Sequence, residues 1–288
     1  MDRVKFMIDS GSDIPPSVAE EPDTEVVPLY RIIEGKPVLD FHDFDIGAYS
    51  EYLKTCKEIP TTSQPSPEDF LIRYERFFEE GYSHIICITM SVYGSGTYNS
   101  AVLASQMFAE HHPDAAMQIH VVDSWSCSLN MVLELRAAHR LYTAGAAVHT
   151  ILEELDRLRR RVQTYYLIDN LEFLIKGGRV SPLKGGIAAK LRIKPVVTIK
   201  NGEGSIPAYA MGYQNGLAKL TEYYWNDTDP EDAEVYIAHA GCPDKALALL
   251  DRLVEGHRDL HYYIYPMLGT MSTQSGPDSI GIFYARTK

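Results

Sequence analysis

Residues 84–101 read HIICITMSVYGSGTYNSA, and this stretch decides the fold class. It begins with a strongly apolar run typical of a buried strand, continues into a turn of glycine and hydroxyl residues, and ends in a helical pattern that reaches about residue 110. The same order follows at once, with a strand at 119–122, a polar turn at 123–126 and a helix to about residue 143. Strand, polar turn and helix repeated at this spacing predict parallel β-α-β units.

The second half of the chain has a different pattern. Extended runs at 164–168, 193–199 and 205–211 predict strands, and Asn201-Gly202-Glu203-Gly204 predicts a hairpin turn between the last two. Helices are predicted at 171–175 and 187–191, and a final strand at 280–284, with no helix assigned to the stretch just before it. We therefore predict a two-domain α/β protein. An amino-terminal α/β domain with a parallel sheet covers residues 1–162, and a carboxy-terminal mixed or antiparallel α+β domain covers 163–288.

Composition excludes several classes of partner. The 288 residues are 45% apolar and 23% charged, as in an ordinary globular protein, and carry a formal charge of −12. So much negative charge disfavours nucleic acid and anionic membrane surfaces, which attract basic proteins. No apolar run is long enough for a membrane span, and the chain leads into a strand rather than a signal peptide. We therefore expect no integral membrane association.

The cysteines and histidines are scattered along the chain. Cys56, Cys87, Cys127 and Cys242 show neither a C-x-x-C motif nor the Cys/His spacing of a zinc site. This pattern predicts reduced thiols in a cytoplasmic protein and no metal site.

Two hydroxyl-bearing turns form the strongest candidate site. Thr62-Ser63-Gln64-Pro65-Ser66-Pro67 and Ser95-Gly96-Thr97 are both interpreted as turns that open helices, with Ser66 as a helix cap and Pro67 in the first helical position. The first N–H groups of a helix lack partners and carry partial positive charge. A hydroxyl beside them makes an anion holder that needs no lysine or arginine. Two such turns facing each other would bind one carboxylate or phosphate.

The second turn does not have the spacing of the common nucleotide-binding loops or of a serine nucleophile. The dinucleotide pattern fails because Asn99 occupies the third glycine position, and no Gly-Lys-Ser/Thr follows for a phosphate-binding loop. The nucleophile-elbow pattern also fails at Tyr93 and Thr97. A serine hydrolase acting on an acyl or phosphate ester, with Ser95 as nucleophile and His239 as base, remains the enzyme alternative, although no spacing rule supports that pair.

A basic loop is the second candidate. Gly177-Gly178-Arg179 allows backbone torsions that other residues avoid, and it is followed by further lysines and arginines up to residue 194. Such a cluster is usually a solvated surface. Its functional interpretation is a docking face for a phosphorylated ligand or an acidic partner.

Several separated motifs, taken in order, resemble one family. They are Asp9-Ser10-Gly11-Ser12-Asp13, Val27-Pro28-Leu29, Leu39-Asp40, Asp45-Ile46, Thr62-Ser63-Gln64-Pro65-Ser66-Pro67, Ser95-Gly96-Thr97-Tyr98, Asp123-Ser124, Gly177-Gly178-Arg179-Val180-Ser181, Lys194-Pro195 and Gly276-Pro277. Together they resemble the DegV family of bacterial lipid-binding proteins over essentially the whole chain.

The resemblance implies two α/β domains with a long-chain fatty acid between them, bound without a cofactor. It places the fatty-acid carboxylate on Thr62 and Ser95, which are the residues that the turn argument selects. We expect Ser63, Gly96 and Thr97 to add backbone or hydroxyl contacts. The family resemblance further implies a non-catalytic protein that carries its ligand and can present it to a separate fatty-acid kinase.

Two positions are expected near the exposed head group or facing a partner. The resemblance places Arg179 there, and it places a histidine where this chain has Gln274. Glutamine donates a hydrogen bond but carries no charge or titrating proton. A kinase that relies on a charged or titrating side chain at this position would find neither in this chain. The turn before Ser95 also departs from the family pattern, at Val92 and Gly94, which suggests an altered head-group site.

Overall fold

The computed structural model describes residues 2–41, 45–179, 193–229, 234–255 and 259–288. Before residue 160 the elements are β1 (Val4–Asp9), a 3-10 turn (Ser10–Ser12), α1 (Pro16–Ala19), β2 (Thr24–Val27), β3 (Tyr30–Ile33), β4 (Lys36–Leu39), α2 (Ile46–Thr55), β5 (Thr61–Ser63), α3 (Pro67–Glu79), β6 (His84–Thr89), α4 (Thr97–His111), β7 (Gln118–Asp123), α5 (Leu129–Thr143) and α6 (Val148–Arg159). After it come β8 (Val162–Leu167), α7 (Leu171–Gly177), β9 (Ile193–Lys200), β10 (Glu203–Met211), α8 (Tyr213–Asp227), β11 (Glu234–His239), α9 (Pro243–Val254), β12 (His261–Pro266), α10 (Gly269–Ser275) and β13 (Ile280–Ala285). None of the described helices combines the length and apolarity needed to cross a bilayer.

The first sheet has the order β2-β1-β6-β7, and all its strands run parallel. Every residue of β1 is buried because helices cover both faces of the sheet. Met7 packs with residues of α3 and α4 on one face, while Phe6 and Ile8 pack with α5 on the other. The parallel α/β sheet predicted from the sequence is confirmed.

The second sheet has the order β10-β9-β8-β13-β11-β12. Its neighbours pair antiparallel except β11 and β12, which are parallel. The predicted mixed sheet is therefore confirmed. The predicted hairpin joins β9 to β10 through Asn201 and Gly202, whose φ angles of 52° and 89° fit a two-residue turn that needs two left-handed residues.

A small antiparallel sheet, β4-β3-β5, lies between β2 and α3 in the chain. Thr62 belongs to β5 and pairs with Arg31 on β3. The stretch from Thr62 to Pro67 does open a helix, as the sequence predicts, but Thr62 itself belongs to a strand, because pairing with β3 keeps it extended. Helix α3 begins five residues later at Pro67, where Ser66 and Asp69 cap each other reciprocally, as the sequence predicts for Ser66 and Pro67.

One further difference lies in the second half. The sequence assigns no helix before the last strand, but residues Gly269–Ser275 form α10, which begins at a glycine and contains mostly small polar residues. Such residues are poor helix formers, so propensity gave no signal. The helix predicted at 187–191 lies outside the described residues.

The two large sheets share one hydrophobic core. A single buried cluster contains Phe6 and Leu135 from the first half together with Tyr236 and Phe283 from the second. Arg136 on α5 also donates a hydrogen bond to the Tyr236 hydroxyl at 2.9 Å. The halves are therefore joined by packing, and this packing encloses the candidate site.

Candidate functional site

A cavity lies between the two halves. The space between its walls is about 890 Å³, including the part that opens to solvent. Its described walls come from both halves, with Met90 and Cys127 on one side and Val197 and Met271 on the other.

The lining divides into a polar end and an apolar remainder. The polar end contains Thr62, Gln64, Ser95, Arg179 and Gln274, all of which are at least partly exposed. The remainder is lined mainly by buried apolar side chains, namely Leu29, Met90, Cys127, Tyr166, Ile168, Leu174, Val197 and Met271. A ligand with one polar end and an apolar remainder matches this division.

Two polar groups within the apolar part lie against each other. The Cys127 thiol and the Tyr166 hydroxyl lie 3.3 Å apart. Burial raises the pKa of Cys127 to about 12, so the thiol is uncharged at neutral pH. Arg179 is the only charged residue among the described residues that line the cavity.

Thr62 is held by a contact from the opposite half of the molecule. Gln274 on α10 donates a hydrogen bond from Nε2 to Thr62 Oγ1 at 2.9 Å. A threonine hydroxyl that accepts in this way keeps its own proton for another acceptor. Gln274 Oε1 is buried and has no hydrogen-bond partner among the described residues. The structure thus places Gln274 in the cavity wall.

Ser95 lies one residue before Gly96, the cap residue of α4. Its Oγ accepts a hydrogen bond from the Thr97 backbone N–H at 3.3 Å and lies 2.8 Å from Thr97 Oγ1. Thr97 is fully buried and does not line the cavity. When the Thr97 hydroxyl donates to Ser95, the Ser95 proton remains available to a ligand.

The two turns meet through a glycine. Gln64 of the first turn packs directly on Gly96 of the second, where a Cβ would lie 2.5 Å from Gln64 Nε2. Gly96 therefore allows this close approach and contributes no side chain to the cavity. Ser63 is exposed, and its Oγ lies 3.4 Å from the Gln64 carbonyl oxygen, outside the lining.

The β9–β10 hairpin closes the cavity against the first half. Ser91 Oγ donates to the Gly202 carbonyl at 2.8 Å. A Cβ on Gly202 would lie 2.7 Å from Ser91 Oγ and 2.9 Å from the Tyr93 ring. Arg179 also contacts the first half, because its Nε donates to the carbonyl of Gly94, the residue before Ser95, at 3.1 Å.

Three buried aspartates hold the segments that carry the cavity walls. Asp9 accepts from the Met90 N–H at 2.7 Å, Asp40 accepts from the Thr270 N–H at 2.9 Å, and Asp13 accepts from the Leu268 N–H. Burial raises the pKa of Asp9 to about 7 and that of Asp40 to about 6, and it raises the pKa of Asp13 well above its usual range.

The hydrolase alternative does not fit this geometry. His239 lies at the end of β11, and no histidine is among the described residues that line the cavity. The recorded side-chain partner of Ser95 is Thr97. A serine nucleophile needs a base within hydrogen-bond reach, and Ser95 has none among the described residues.

Comparison with known proteins settles the family. A family model described as "Uncharacterised protein, DegV family" matches residues 3–287. A curated fatty acid-binding protein from Thermotoga maritima is 32% identical over 285 residues, which is 97% of this chain and 96% of the relative. The chain belongs to the DegV family. The resemblance drawn from the separated motifs is thereby confirmed.

Solved DegV structures have the same fold. A DegV lipid-binding protein from Thermotoga maritima superposes with a TM-score of 0.87 at 30% identity over 99% of each chain. A DegV family protein from Thermus thermophilus, reported for its fatty acid binding, gives a TM-score of 0.87 at 27% identity, again over 99% of each chain. The chain therefore has the DegV fold over almost its whole length.

Proposed function

We propose that this protein binds a long-chain fatty acid in the cavity between its halves, with the carboxylate at the polar end. The observation that carries the proposal is that Thr62 and Ser95 line the same, mainly apolar cavity, and that the turns next to them touch where Gln64 packs on Gly96. The fatty-acid binding of the DegV relatives supports the same conclusion.

The proposed chemistry of the polar end follows from hydrogen-bond direction. Thr62 accepts from Gln274 and Ser95 accepts from Thr97, so both hydroxyl protons can point to one anion. Hydroxyl donors form short, strong hydrogen bonds to an ionised carboxylate. In this proposal Thr97 and Gln274 orient the two donors, Gly96 permits the approach of Gln64, and Ser63 has no direct contact.

The affinity of the proposed complex comes mainly from the acyl chain. Each buried CH₂ group contributes about 0.8 kcal/mol, whereas a hydrogen bond to a charged group contributes about 1.5–3 kcal/mol. The buried walls select an apolar chain, and the two hydroxyls select its polar end. Arg179 lies beside the Ser95 loop and adds positive charge at the edge of the site.

The proposed role is carriage and presentation, without catalysis by this chain. Its head-group end carries the exposed residues of the cavity, including Arg179 and Tyr93. A carboxylate held there is the part of the ligand that a second protein can reach. The family resemblance makes that partner a fatty-acid kinase, which would convert the carboxylate to an acyl phosphate.

The direct test is lipid binding by the purified protein and its variants. Native mass spectrometry should find a co-purified fatty acid, and Thr62→Ala with Ser95→Ala should weaken binding of tetradecanoate much more than of 1-tetradecanol. Equal losses for both ligands would refute the assigned roles. The absence of serine-dependent turnover of p-nitrophenyl esters is expected for a carrier.

The partner proposal needs its own experiment. The protein loaded with fatty acid is mixed with a fatty-acid kinase and ATP, and acyl phosphate is measured for the natural protein and for Gln274→His. Formation of acyl phosphate only when this protein is present supports presentation. Direct binding without any product, by either form, would contradict it.

A further inference from the structure

We propose that Arg31 and Asp40, which do not line the cavity, are positioning residues that hold Thr62 and Gln274 in register with each other. This inference rests on the proposed function, because it concerns the carboxylate end of the same cavity. Thr62 is on the small sheet and Gln274 is on α10 of the other half, so their hydrogen bond requires two separate elements to stay aligned.

Arg31 is fixed to the strand that carries Thr62. It lies on β3 as the direct cross-strand partner of Thr62 on β5. Its Nη2 donates to the Leu39 carbonyl at 2.9 Å, which also ties it to β4. The backbone of Arg31 is thus paired with that of Thr62, and its guanidinium is anchored within the small sheet at Leu39.

Asp40 connects that guanidinium to α10. Its Oδ1 lies 3.2 Å from Arg31 Nε, and its Oδ2 accepts from the Thr270 N–H at 2.9 Å. Both charged side chains are almost completely buried. Thr270 lies four residues before Gln274, which is about one helical turn along α10.

The first residue of α10 has the shape that this contact needs. A Cβ on Gly269 would overlap both Asp40 Oδ1 and the Arg31 side chain. Only glycine allows the ion pair to lie against the helix backbone. The beginning of α10 is therefore held against the small sheet.

Tyr49 provides a second connection between the same elements. The Arg31 guanidinium lies over the Tyr49 ring at 4.7 Å, and the Tyr49 hydroxyl is 2.6 Å from Thr273 Oγ1. Thr273 immediately precedes Gln274. Arg31 is thus connected to α10 at two positions before Gln274, through Asp40 at Thr270 and through Tyr49 at Thr273.

The contribution of the ion pair can be tested by removing both of its charges together. Replacing a buried ion pair by uncharged side chains of similar size is often nearly neutral for stability, whereas removing one partner leaves a costly buried charge. The double variant Arg31→Met with Asp40→Asn removes both charges. It leaves every residue that lines the cavity unchanged.

The test measures selectivity between two ligands of equal chain length. Tetradecanoate and 1-tetradecanol are offered together to each purified variant, and the bound lipids are extracted and quantified. We expect the acid-to-alcohol ratio of the double variant to fall about tenfold or more, which corresponds to the loss of one hydrogen bond to a charged group. In a Thr62→Ala background the same double substitution should cause no further fall.

The matched control removes another ion pair. Arg73 and Glu25 lie 3.1 Å apart between α3 and β2, away from the lining residues, so Arg73→Met with Glu25→Gln should keep the natural ratio. Equal weakening of both ligands, or an unchanged ratio, in the Arg31 and Asp40 variant overturns the proposal. A natural protein that shows no preference for the acid would instead reject the proposed function itself. If the double variant does not fold, Arg31→Gln with Asp40→Asn, which also removes both charges and keeps an acceptor for the Thr270 N–H, is tested in the same way.

Discussion

Gln274 Nε2 donates a hydrogen bond to Thr62 Oγ1 at 2.9 Å and thereby joins α10 to the small sheet at the polar end of the cavity. The direction of this bond matters, because it leaves the threonine proton free for a ligand. Glutamine gives this direction without titrating. The polar end is therefore expected to keep its hydrogen-bond pattern across the neutral pH range.

Changing the donor at this position should alter head-group recognition. Gln274→Leu removes the bond to Thr62, and we expect tetradecanoate affinity to fall about tenfold, the effect of one hydrogen bond. Gln274→Glu should be worse, because glutamate accepts the Thr62 proton and places negative charge beside the carboxylate. Titration calorimetry with tetradecanoate and 1-tetradecanol checks both. Equal acid affinities of the two variants would contradict this account.

The absence of a side chain at Gly177 leaves room for the Gln274 amide that donates this hydrogen bond. A Cβ on this residue would overlap Gln274 Oε1, so Gly177→Ala should displace the flexible amide and lower acid affinity to the level of Gln274→Leu. Stability should not fall, because alanine favours a helix over glycine by about 1 kcal/mol. Gly47→Ala in α2 is the control, since its nearest recorded neighbour is Asp45 Oδ1 at 3.4 Å. Affinity measured together with urea unfolding separates the two effects.

The hairpin contact at Gly202 should control the exchange of bound lipid. Gly202→Ala places a Cβ against Ser91 and Tyr93 and should push the hairpin away from the first half. A strain of about 1.4 kcal/mol on the closed arrangement would make tetradecanoate dissociate about tenfold faster. Gly35→Ala is the control, because Gly35 has a similar φ of +76° in a turn but no neighbour within 4 Å of its Cβ position. Equal dissociation rates for the two variants would contradict a role for the contact.

The buried aspartates should make stability depend on pH. An aspartate in the unfolded chain titrates near pH 3.9, whereas the pKa values of Asp40 and Asp9 are raised to about 6 and about 7 by burial. Between these values the folded protein binds more protons than the unfolded chain. The free energy of unfolding should therefore fall as pH rises, by up to about 4 kcal/mol for Asp9, with the loss complete above pH 7.

Urea unfolding at pH 5 and pH 8 measures this dependence. Asp9→Asn lowers stability at both pH values, because it removes one acceptor from the N–H groups of Met90 and Gly11, but it should reduce the difference between them. Asp244→Asn, on an exposed position of α9, should keep the difference. A natural protein that is more stable at pH 8 than at pH 5 would contradict the prediction.

Local signals in the sequence were sufficient for much of the fold. The repeated strand, turn and helix predicted the parallel sheet, Ser66 and Pro67 marked the beginning of α3, and Asn201-Gly202 marked the hairpin. Each of these depends on residues close together in the chain. Thr62 and Ser95 could be proposed as a pair because hydroxyl-bearing turns have a recognisable composition.

Long-range contacts decided what the sequence could not show. Thr62 is extended because β3 pairs with it, although it lies near a helix start in the chain. Helix α10 forms from weak helix formers because Asp40 and Tyr49 bind its backbone and side chains from another element. Gln274 was predicted near the exposed head group or facing a partner, and its bond to Thr62 spans 212 residues of sequence. Composition and periodicity carry no information about such contacts.

The common core has a consequence for protein engineering. Phe6, Leu135, Tyr236 and Phe283 occupy one interior, although they come from different halves of the chain. A chimera that joins the first half of this chain to the second half of a relative would bring together side chains that have never been packed against each other. Such hybrids should require compensating substitutions in that interior before any grafted lipid specificity can be read out.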